Sequence, residues 1–255
     1  MKRQLLIALL LGLSTSICYS QVKINVQAGT GLTGITKNEN YNANFGYRFG
    51  LGVEFPINRT WSLLTGLQFL NRSYSFDEGA TQILHVPSVT GLEKLYHCSF
   101  NSKINALYLQ IPLKMAFYLP FDSQCGLQFS AGPYIAYGIG GKSSLNWLLA
   151  TSESINTDDL TEGSPNTSLE QGKESHKTFS KDGGLKRLDI GLSLGVDFKY
   201  KRFFAGIGAE YGFLPIDKEF PKDLFRYIFQ EDQKLVSPRN IGVELHVGFC
   251  FYAGK

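Results

Sequence analysis

The feature that most constrains this chain is a strict alternation of apolar and polar residues between Leu188 and Tyr200. Every even position holds a large apolar residue, and every odd position holds Asp, Gly, Ser or Lys. Neighbouring side chains of a β-strand point to opposite faces, so this period of two indicates a strand with one apolar and one polar face. The pattern recurs over Phe203–Phe213 and Ile241–Phe251. We therefore expect an all-β fold.

Eight segments of this kind are predicted along the chain. Their lengths suit strands that cross a bilayer at a tilt, which need about 9–11 residues. Within the fourth segment, Pro112 has no backbone N–H and predicts a bulge or a kink. The predicted strands run from Lys23 to Thr33, Asn44 to Phe55, Thr60 to Phe76, Lys103 to Leu119, Cys125 to Gly140, Leu188 to Tyr200, Phe203 to Phe213 and Asn240 to Tyr252.

The connections between these segments alternate between short and long. Short turns follow the second, fourth and sixth segments, whereas the other connections span 35–43, 77–102, 141–187 and 214–239. The polar composition of 141–187 predicts a mobile loop, and the apolar spacing within 220–229 fits a short helix. In outer-membrane barrels the short turns are periplasmic and the long loops external. We predict an eight-stranded antiparallel up-and-down transmembrane β-barrel with both termini at the periplasmic rim.

The N-terminal residues have the features of a secretory signal peptide. A basic start at Met1–Arg3 precedes an apolar run, Leu5–Leu13, and Cys18 and Ser20 place small residues three and one before a cleavage point. Cys18 would be the lipidated residue of a lipoprotein, but bulky Ile17 precedes it. No run of about 18 apolar residues follows, so any membrane crossing must use strands. The predicted divisions are a signal peptide at 1–20 and an outer-membrane β-barrel domain at 21–255.

The composition of the polar faces indicates which way the strands point. A soluble barrel with an apolar core would show the same alternation with its faces reversed. The polar faces here carry many glycines, among them Gly46, Gly195 and Gly208. Glycine weakens a solvent-exposed strand, whereas small residues suit the crowded interior of a narrow barrel. We therefore expect the polar face in the lumen and the opposite face, which includes Phe45 and Phe49, in contact with lipid.

Two short motifs in the middle of the chain support a resemblance. Tyr108–Lys114 reads Tyr-Leu-Gln-Ile-Pro-Leu-Lys, and Gly132-Pro133-Tyr134 follows on the next predicted strand. Together with the signal peptide and the eight-strand plan, these motifs resemble the PorT-type outer-membrane β-barrel family of Bacteroidetes. The resemblance covers most of the mature chain and implies an outer-membrane location. The namesake of that family is implicated in protein secretion and gliding machinery.

Parity along each strand predicts a set of polar side chains inside the lumen. Acids and bases both occur, and because an unpaired buried charge is costly, we expect them to pair across the lumen or to contact water. An eight-stranded barrel is just wide enough for its own side chains, so a packed plug is favoured over an open channel. The predicted set is Arg48, Glu54, Gln68, Arg72, Tyr108, Gln110, Lys114, Gln128, Asp189, Asp197, Lys199, Glu210, Glu244 and His246.

Evidence for catalysis or cofactor binding in the sequence is slight. Glu244 and His246 share a face and, with Ser130 or Ser193, would imitate a hydrolase triad, but no G-x-S-x-G motif accompanies them. The histidines and cysteines lack metal-site spacing, so we expect no metal, no cofactor and no catalytic residue. The formal net charge is only +3 and includes two basic residues of the signal, so nucleic acid is not an expected partner.

Three functions remain open from the sequence. The first is a non-enzymatic barrel, structural or accessory to secretion or envelope assembly, that contacts partner proteins through its external loops. The second is a transport barrel for small solutes or ions. The third is a lipid-modifying outer-membrane enzyme that uses Glu244 and His246. Outer-membrane lipid is the one partner expected in every case.

Overall fold

The structure, a computed structural model, describes residues 22–36, 41–85, 93–154, 167–180, 185–216 and 238–252 of the 255-residue chain. The described residues form nine β-strands, and no helix among them is long and apolar enough to cross a membrane. The strands are β1 (Lys23–Ile35), β2 (Tyr41–Pro56), β3 (Trp61–His85), β4 (Glu93–Pro120), β5 (Cys125–Ser154), β6 (Thr167–Lys177), β7 (Leu188–Tyr200), β8 (Phe203–Gly212) and β9 (Asn240–Tyr252).

Eight of the nine strands close into a barrel. The antiparallel ladder runs from β4 through β3, β2, β1, β9, β8 and β7 to β5, and β5 pairs back with β4. Among the described strands, β6 pairs with β5 alone and stands outside this ring. Closure gives every barrel strand two hydrogen-bonded neighbours, so the lipid-embedded part has no open edge. The predicted eight-stranded antiparallel up-and-down barrel is therefore confirmed.

The two rims of the barrel differ greatly. One rim carries three short turns, at 57–60, 121–124 and 201–202, and β1 begins and β9 ends there, where Lys23 pairs with Tyr252. We call it the short-turn rim, and the opposite one the long-loop rim. At the short-turn rim, aromatic rings pack in pairs on the outer surface, as at a membrane interface. These pairs are Trp61 with Phe117 and Phe203 with Phe249, with ring centroids 5.1 and 4.9 Å apart.

Three strands continue far beyond the long-loop rim. Strand β3 pairs with β4 as far as His85 and Glu93, and β4 pairs with β5 as far as Ser154. Strand β6 adds to the outer part of β5, from Lys142 opposite Lys177 onwards. We call this four-stranded sheet the extension. It corrects the prediction of loops over 77–102 and 141–187, because a polar strand satisfies its backbone groups by pairing with neighbours even where no core is buried.

A β-bulge lies near the base of the extension and not at Pro112. Leu107 pairs with Gly140, but the next residue, Tyr108, pairs with Gly138, so β5 contains one extra residue there. Pro112 lies in regular register opposite Tyr134, so no bulge occurs there, but the pairing of β4 with β3 is interrupted between Gln110 and Leu113. The helix expected within 220–229 lies outside the described residues.

The barrel strands direct apolar side chains outwards and polar side chains into the lumen, as a membrane barrel requires. Large apolar residues around the whole ring are exposed on its outer surface; examples are Phe45 at 77% and Leu245 at 62%. Gln68, Gln110 and Asp189 occupy the alternate positions and are buried. The exposed apolar band is the surface that lipid covers, and the polar side chains fill the interior.

Candidate functional site: the barrel lumen

The lumen near the long-loop rim contains a buried network around Arg72. The Arg72 guanidinium forms ion pairs with Asp189 and with Glu210, the latter at 3.1 Å from Nη2 to Oε2. It also lies over the rings of Tyr108 and Tyr134, 5.1 and 5.3 Å from their centroids. This contact is a cation–π arrangement. One cation therefore joins two acids and two aromatic rings from different strands.

Neutral side chains complete this network. Gln110 donates from Nε2 to Glu210 Oε1 at 2.6 Å, and its own Oε1 accepts from Arg72 Nη2 at 3.2 Å. Asp189 Oδ2 accepts from the Tyr134 hydroxyl and from Asn240 Nδ2, both at 3.0 Å. These contacts offset the cost of removing the charges from water. We call Arg72, Gln110, Tyr134, Asp189, Glu210 and Asn240 the Arg72 cluster.

A second group of charges lies in the middle of the lumen. Arg48 joins it to the Arg72 cluster, since Nη2 is 2.8 Å from Glu210 Oε2 while Nε is 2.6 Å from Glu244 Oε2. His246 Nε2 lies 2.6 Å from Asp197 Oδ1, and Nδ1 lies 3.7 Å from Glu244 Oε1. The imidazole therefore sits between two carboxylates.

The third group lies at the short-turn rim and centres on Glu54. Its carboxylate is 2.8 Å from Lys199 Nζ and 3.3 Å from Lys23 Nζ, and it accepts a hydrogen bond from Ser62 Oγ at 3.1 Å. The Glu54 side chain is 4% exposed, but those of Lys199 and Lys23 are 17% and 30% exposed. These four residues, which we call the Glu54 cluster, close the lumen where water can still reach the lysines.

An apolar cap covers the Arg72 cluster at the long-loop rim. Phe179, Leu185 and Ile216 come from segments between strands, and each is buried there. The Phe179 ring meets the edge of Tyr108 with centroids 5.4 Å apart. Glycine at 138 makes room for it, because a Cβ there would lie 2.2 Å from the ring. These three side chains form the cap.

Polar contacts hold the cap in place. Thr178 donates from Oγ1 to the backbone oxygen of Asn105 at 2.8 Å. Arg187 donates from Nη1 to the backbone oxygen of Gly138 at 2.9 Å, and its guanidinium lies 5.5 Å from the centroid of the Phe179 ring. The Ile216 backbone oxygen accepts from Lys186 N at 2.7 Å. Hydrogen bonds therefore tie the cap to the barrel wall at Asn105 and Gly138, and the third joins two segments of the cap.

Little space remains inside the barrel. A cavity of about 60 Å³ lies beside Lys114, Asp197 and His246, and another of about 30 Å³ lies beside Arg48 and Arg72. One water occupies roughly 30 Å³ of liquid, so these volumes correspond to a few waters and not to a solute path. The arrangement can hold charge and a few waters inside the membrane.

The structure places every residue of the predicted lumen set on the inner face. Most are buried, while Lys114, Lys199, Glu244 and His246 are half-buried around the larger cavity. Tyr134 and Asn240 were not in the set, although each shares strand parity with a member of it. Lys23 has the same parity signal on β1. Phe179 had no such signal, because it belongs to no strand.

Among the described residues, no hydrogen bond joins His246 to Ser130 or Ser193, although Ser130 and His246 line the same cavity. The hydrogen bond of the His246 ring goes to Asp197. Ser193 Oγ donates to Glu210 Oε1 at 3.5 Å, and Ser130 lies opposite Gly195 on β7. A nucleophile must lie within hydrogen-bond reach of its base, and the structure gives His246 carboxylate neighbours instead.

Comparison with known proteins gives a family and structural neighbours of low sequence identity. No curated protein sequence matches the chain. Among solved structures, Ail, the attachment invasion locus protein of Yersinia pestis, is similar at 11% identity and a TM-score of 0.35, over 91% of this chain and 99% of Ail. OprG of Pseudomonas aeruginosa is similar at 11% identity and a TM-score of 0.33, over 92% of this chain and 98% of OprG. Neisserial surface protein A is similar at 11% identity and a TM-score of 0.32, over 89% of this chain and 97% of that protein.

The family assignment covers most of the sequence. The model of the outer membrane protein beta-barrel domain matches residues 3–218. That match includes β1 through β8. An apolar outer band, a polar filled lumen and a closed antiparallel ring are the features that such a domain requires. The chain belongs to the outer membrane protein beta-barrel domain family.

Proposed function

We propose that this protein is a non-conducting, non-enzymatic outer-membrane barrel that presents the extension to partner proteins of a secretion or envelope-assembly system. The filled and capped lumen carries the proposal. Ion-paired side chains occupy the interior from the Glu54 cluster to the Arg72 cluster, and the cavities between them have volumes of only about 60 and 30 Å³. A barrel so filled supplies an anchor and a platform and not a conduit.

The proposal includes an orientation. The short-turn rim faces the periplasm, and both termini of the mature chain lie there after residues 1–20 have been removed as a signal peptide. The extension then projects from the outer surface of the cell. Short periplasmic turns and long external segments are the usual arrangement in such barrels. The motifs that resemble the PorT-type family of Bacteroidetes favour a secretion-related role.

Single-channel recording tests the closed lumen. Purified protein in planar bilayers should give no stepwise currents, because side chains of the Arg72 cluster occupy the lumen and the cavity beside Arg72 measures only about 30 Å³. A variant that loses the cap and the central cation, Phe179→Ala with Arg72→Ala, is the positive comparison and should show at least brief currents. Regular openings in the unaltered protein would overturn the proposal and favour a transport barrel for small solutes or ions.

The exposed edge of β6 is the part of the extension most open to a partner. Gln171, Glu174 and Lys177 are exposed there, and within the part of the chain that the structure describes β6 pairs on one side only, with β5. An unpaired strand edge is a surface to which another chain can add. Its alternating charges disfavour self-association, so a selective partner is the better match.

Photo-crosslinking in living cells tests this platform. A photoreactive amino acid at Gln171 or Glu174 should give a discrete protein adduct, and the same residue at Asp122, in a turn of the opposite rim, should not give that adduct. Equal adducts from both rims, or none from β6, would contradict a role for the extension.

An unchanged envelope lipid profile after His246→Ala is expected if the barrel is not a lipid-modifying enzyme.

A further inference from the structure

A recess lies on the lipid-facing surface close to the short-turn rim. It measures about 520 Å³, far more than either cavity of the lumen. Ala28 of β1 and Ala205 of β8 supply small side chains where most outward positions of the ring carry Phe, Leu, Ile or Val. Larger apolar side chains surround these alanines, namely Val26, Phe198, Tyr200, Phe203, Val247 and Phe249.

The strand register explains the shape of the recess. Ala205 lies between Phe198 on β7 and Val247 on β9, and Val247 in turn lies opposite Ala28. The next row towards the rim contains Phe203 and its partners on the same strands. Two alanines in one row therefore leave a depression beneath an aromatic row. At about 3.3 Å per residue, the depression begins within roughly 10 Å of the β7–β8 turn.

That turn carries two cations. Lys201 and Arg202 are both exposed, and they are the only two residues between β7 and β8. Lys201 Nζ lies 5.2 Å from the centroid of the Tyr200 ring, which also lines the recess. The cation and the apolar recess are thus parts of one continuous surface.

The backbone of the turn is held on both sides. Lys201 N donates to Gln124 O of the neighbouring turn at 2.8 Å, and Arg202 O accepts from Cys250 N of β9 at 2.7 Å. The acid of that neighbouring turn, Asp122, accepts a hydrogen bond from Ser123 N at 2.6 Å. A fixed turn loses little conformational freedom when it binds an anion, which favours a defined contact.

We infer that this surface is a binding site for one anionic glycerophospholipid, with its phosphate at Lys201 and Arg202 and an acyl chain in the recess over Ala28 and Ala205. Charge complementarity selects the headgroup, since basic residues at a membrane surface attract anionic lipid. The apolar recess accepts the methylenes that follow the glycerol. The inference rests on the proposed orientation, which makes this a lipid of the periplasmic leaflet.

Native mass spectrometry of the purified, folded protein tests the site. The probe is palmitoyl-oleoyl-phosphatidylglycerol, with phosphatidylcholine of the same chains as the zwitterionic comparison. We expect one phosphatidylglycerol molecule to stay bound under collisional activation that removes phosphatidylcholine. The double variant Lys201→Gln with Arg202→Gln should weaken the retained binding about thirtyfold, from roughly 1 kcal/mol per basic residue. Ala205→Leu, which fills the recess, should abolish it.

Matched variants separate this site from general lipid association. Arg59→Gln removes an exposed cation from another short turn, and Ala209→Leu enlarges another outward alanine of β8; both should keep the bound lipid. Equal retention in all variants, displacement of the lipid by inorganic phosphate, or a dimer that Ala205→Leu dissolves would each overturn the inference. The mass spectra are recorded in detergent, so they do not depend on which rim of the barrel faces the periplasm. Loss of the lipid site thus leaves the platform proposal standing, and failure of β6 crosslinking leaves the lipid site standing.

Discussion

The two ends of the lumen hold the same kinds of charge in different surroundings. In the Arg72 cluster the cap lies above the ion pairs, and the side chains of Arg72 and Asp189 are 5% and 2% exposed. In the Glu54 cluster the carboxylate is equally buried, but both of its lysines reach towards the short-turn rim. Bulk water can replace a lost partner at the rim, whereas the cavity beside Arg72 under the cap has a volume of only about 30 Å³. Access to water thus decides how much each ion pair contributes to stability.

The largest expected effect is that of Arg72→Ala. It leaves Asp189 and Glu210 without their central cation, and we expect the free energy of unfolding to fall by about 3–5 kcal/mol. Denaturant titration of the detergent-folded barrel measures it. A double-mutant cycle of Arg72→Gln with Asp189→Asn should show coupling of at least about 1 kcal/mol. A loss no greater than that of Lys199→Ala would contradict the comparison.

Removal of the cap should come next. Phe179→Ala deletes a buried ring, and we expect a loss of about 3 kcal/mol in the same titration. Phe121→Ala, at an exposed position of the short-turn rim, is the matched control and should cost less than about 1 kcal/mol. If the cap excludes water from the Arg72 cluster, Arg72→Ala should lower the free energy of unfolding by less in the Phe179→Ala background than in the unaltered protein. Strict additivity would show that the two act separately.

A smaller effect is expected at the rim. Lys199→Gln removes one of two cations from Glu54, and Lys23 and water remain to stabilise the carboxylate. We expect a loss of about 1 kcal/mol, and the loss should shrink as salt is raised from 0.05 to 1 M. The cost of Arg72→Ala should change little over that range. If the loss of unfolding free energy caused by Lys199→Gln did not depend on salt, water would be excluded from this end of the lumen as well.

The smallest effect is expected in the extension. His176 Nε2 lies 3.4 Å from Glu174 Oε2, and both side chains are about half exposed. Glu174→Gln should change the free energy of unfolding by no more than about 0.5 kcal/mol, as for other surface pairs. The same variant serves as a stability control for crosslinking at β6. A large loss would indicate that the extension and the barrel unfold together.

Local pattern alone was sufficient for the barrel. The alternation over Leu188–Tyr200 predicts β7 with its bounds unchanged, because lipid on one side and a polar lumen on the other impose opposite demands at every second position. Beyond the long-loop rim there is neither lipid on one side of the strands nor a polar lumen on the other. There the polar residues of β6 give no periodic signal, and the prediction of a loop failed. Strand pairing, which depends on the neighbouring strands, decides the conformation in that region.

Sequence by itself determined the closed antiparallel ring, the order of short and long connections and the parity of each side chain, since all three follow from local periodicity and turn length. Only the tertiary structure decided which groups meet. Arg72 and Asp189 are 117 positions apart and belong to strands that are not neighbours, so no local pattern relates them. Phe179 reaches the mouth of the barrel from outside any strand, and its place depends on the space left at Gly138. Contacts across a lumen depend on barrel closure, tilt and register acting together, and these are properties of the whole ring.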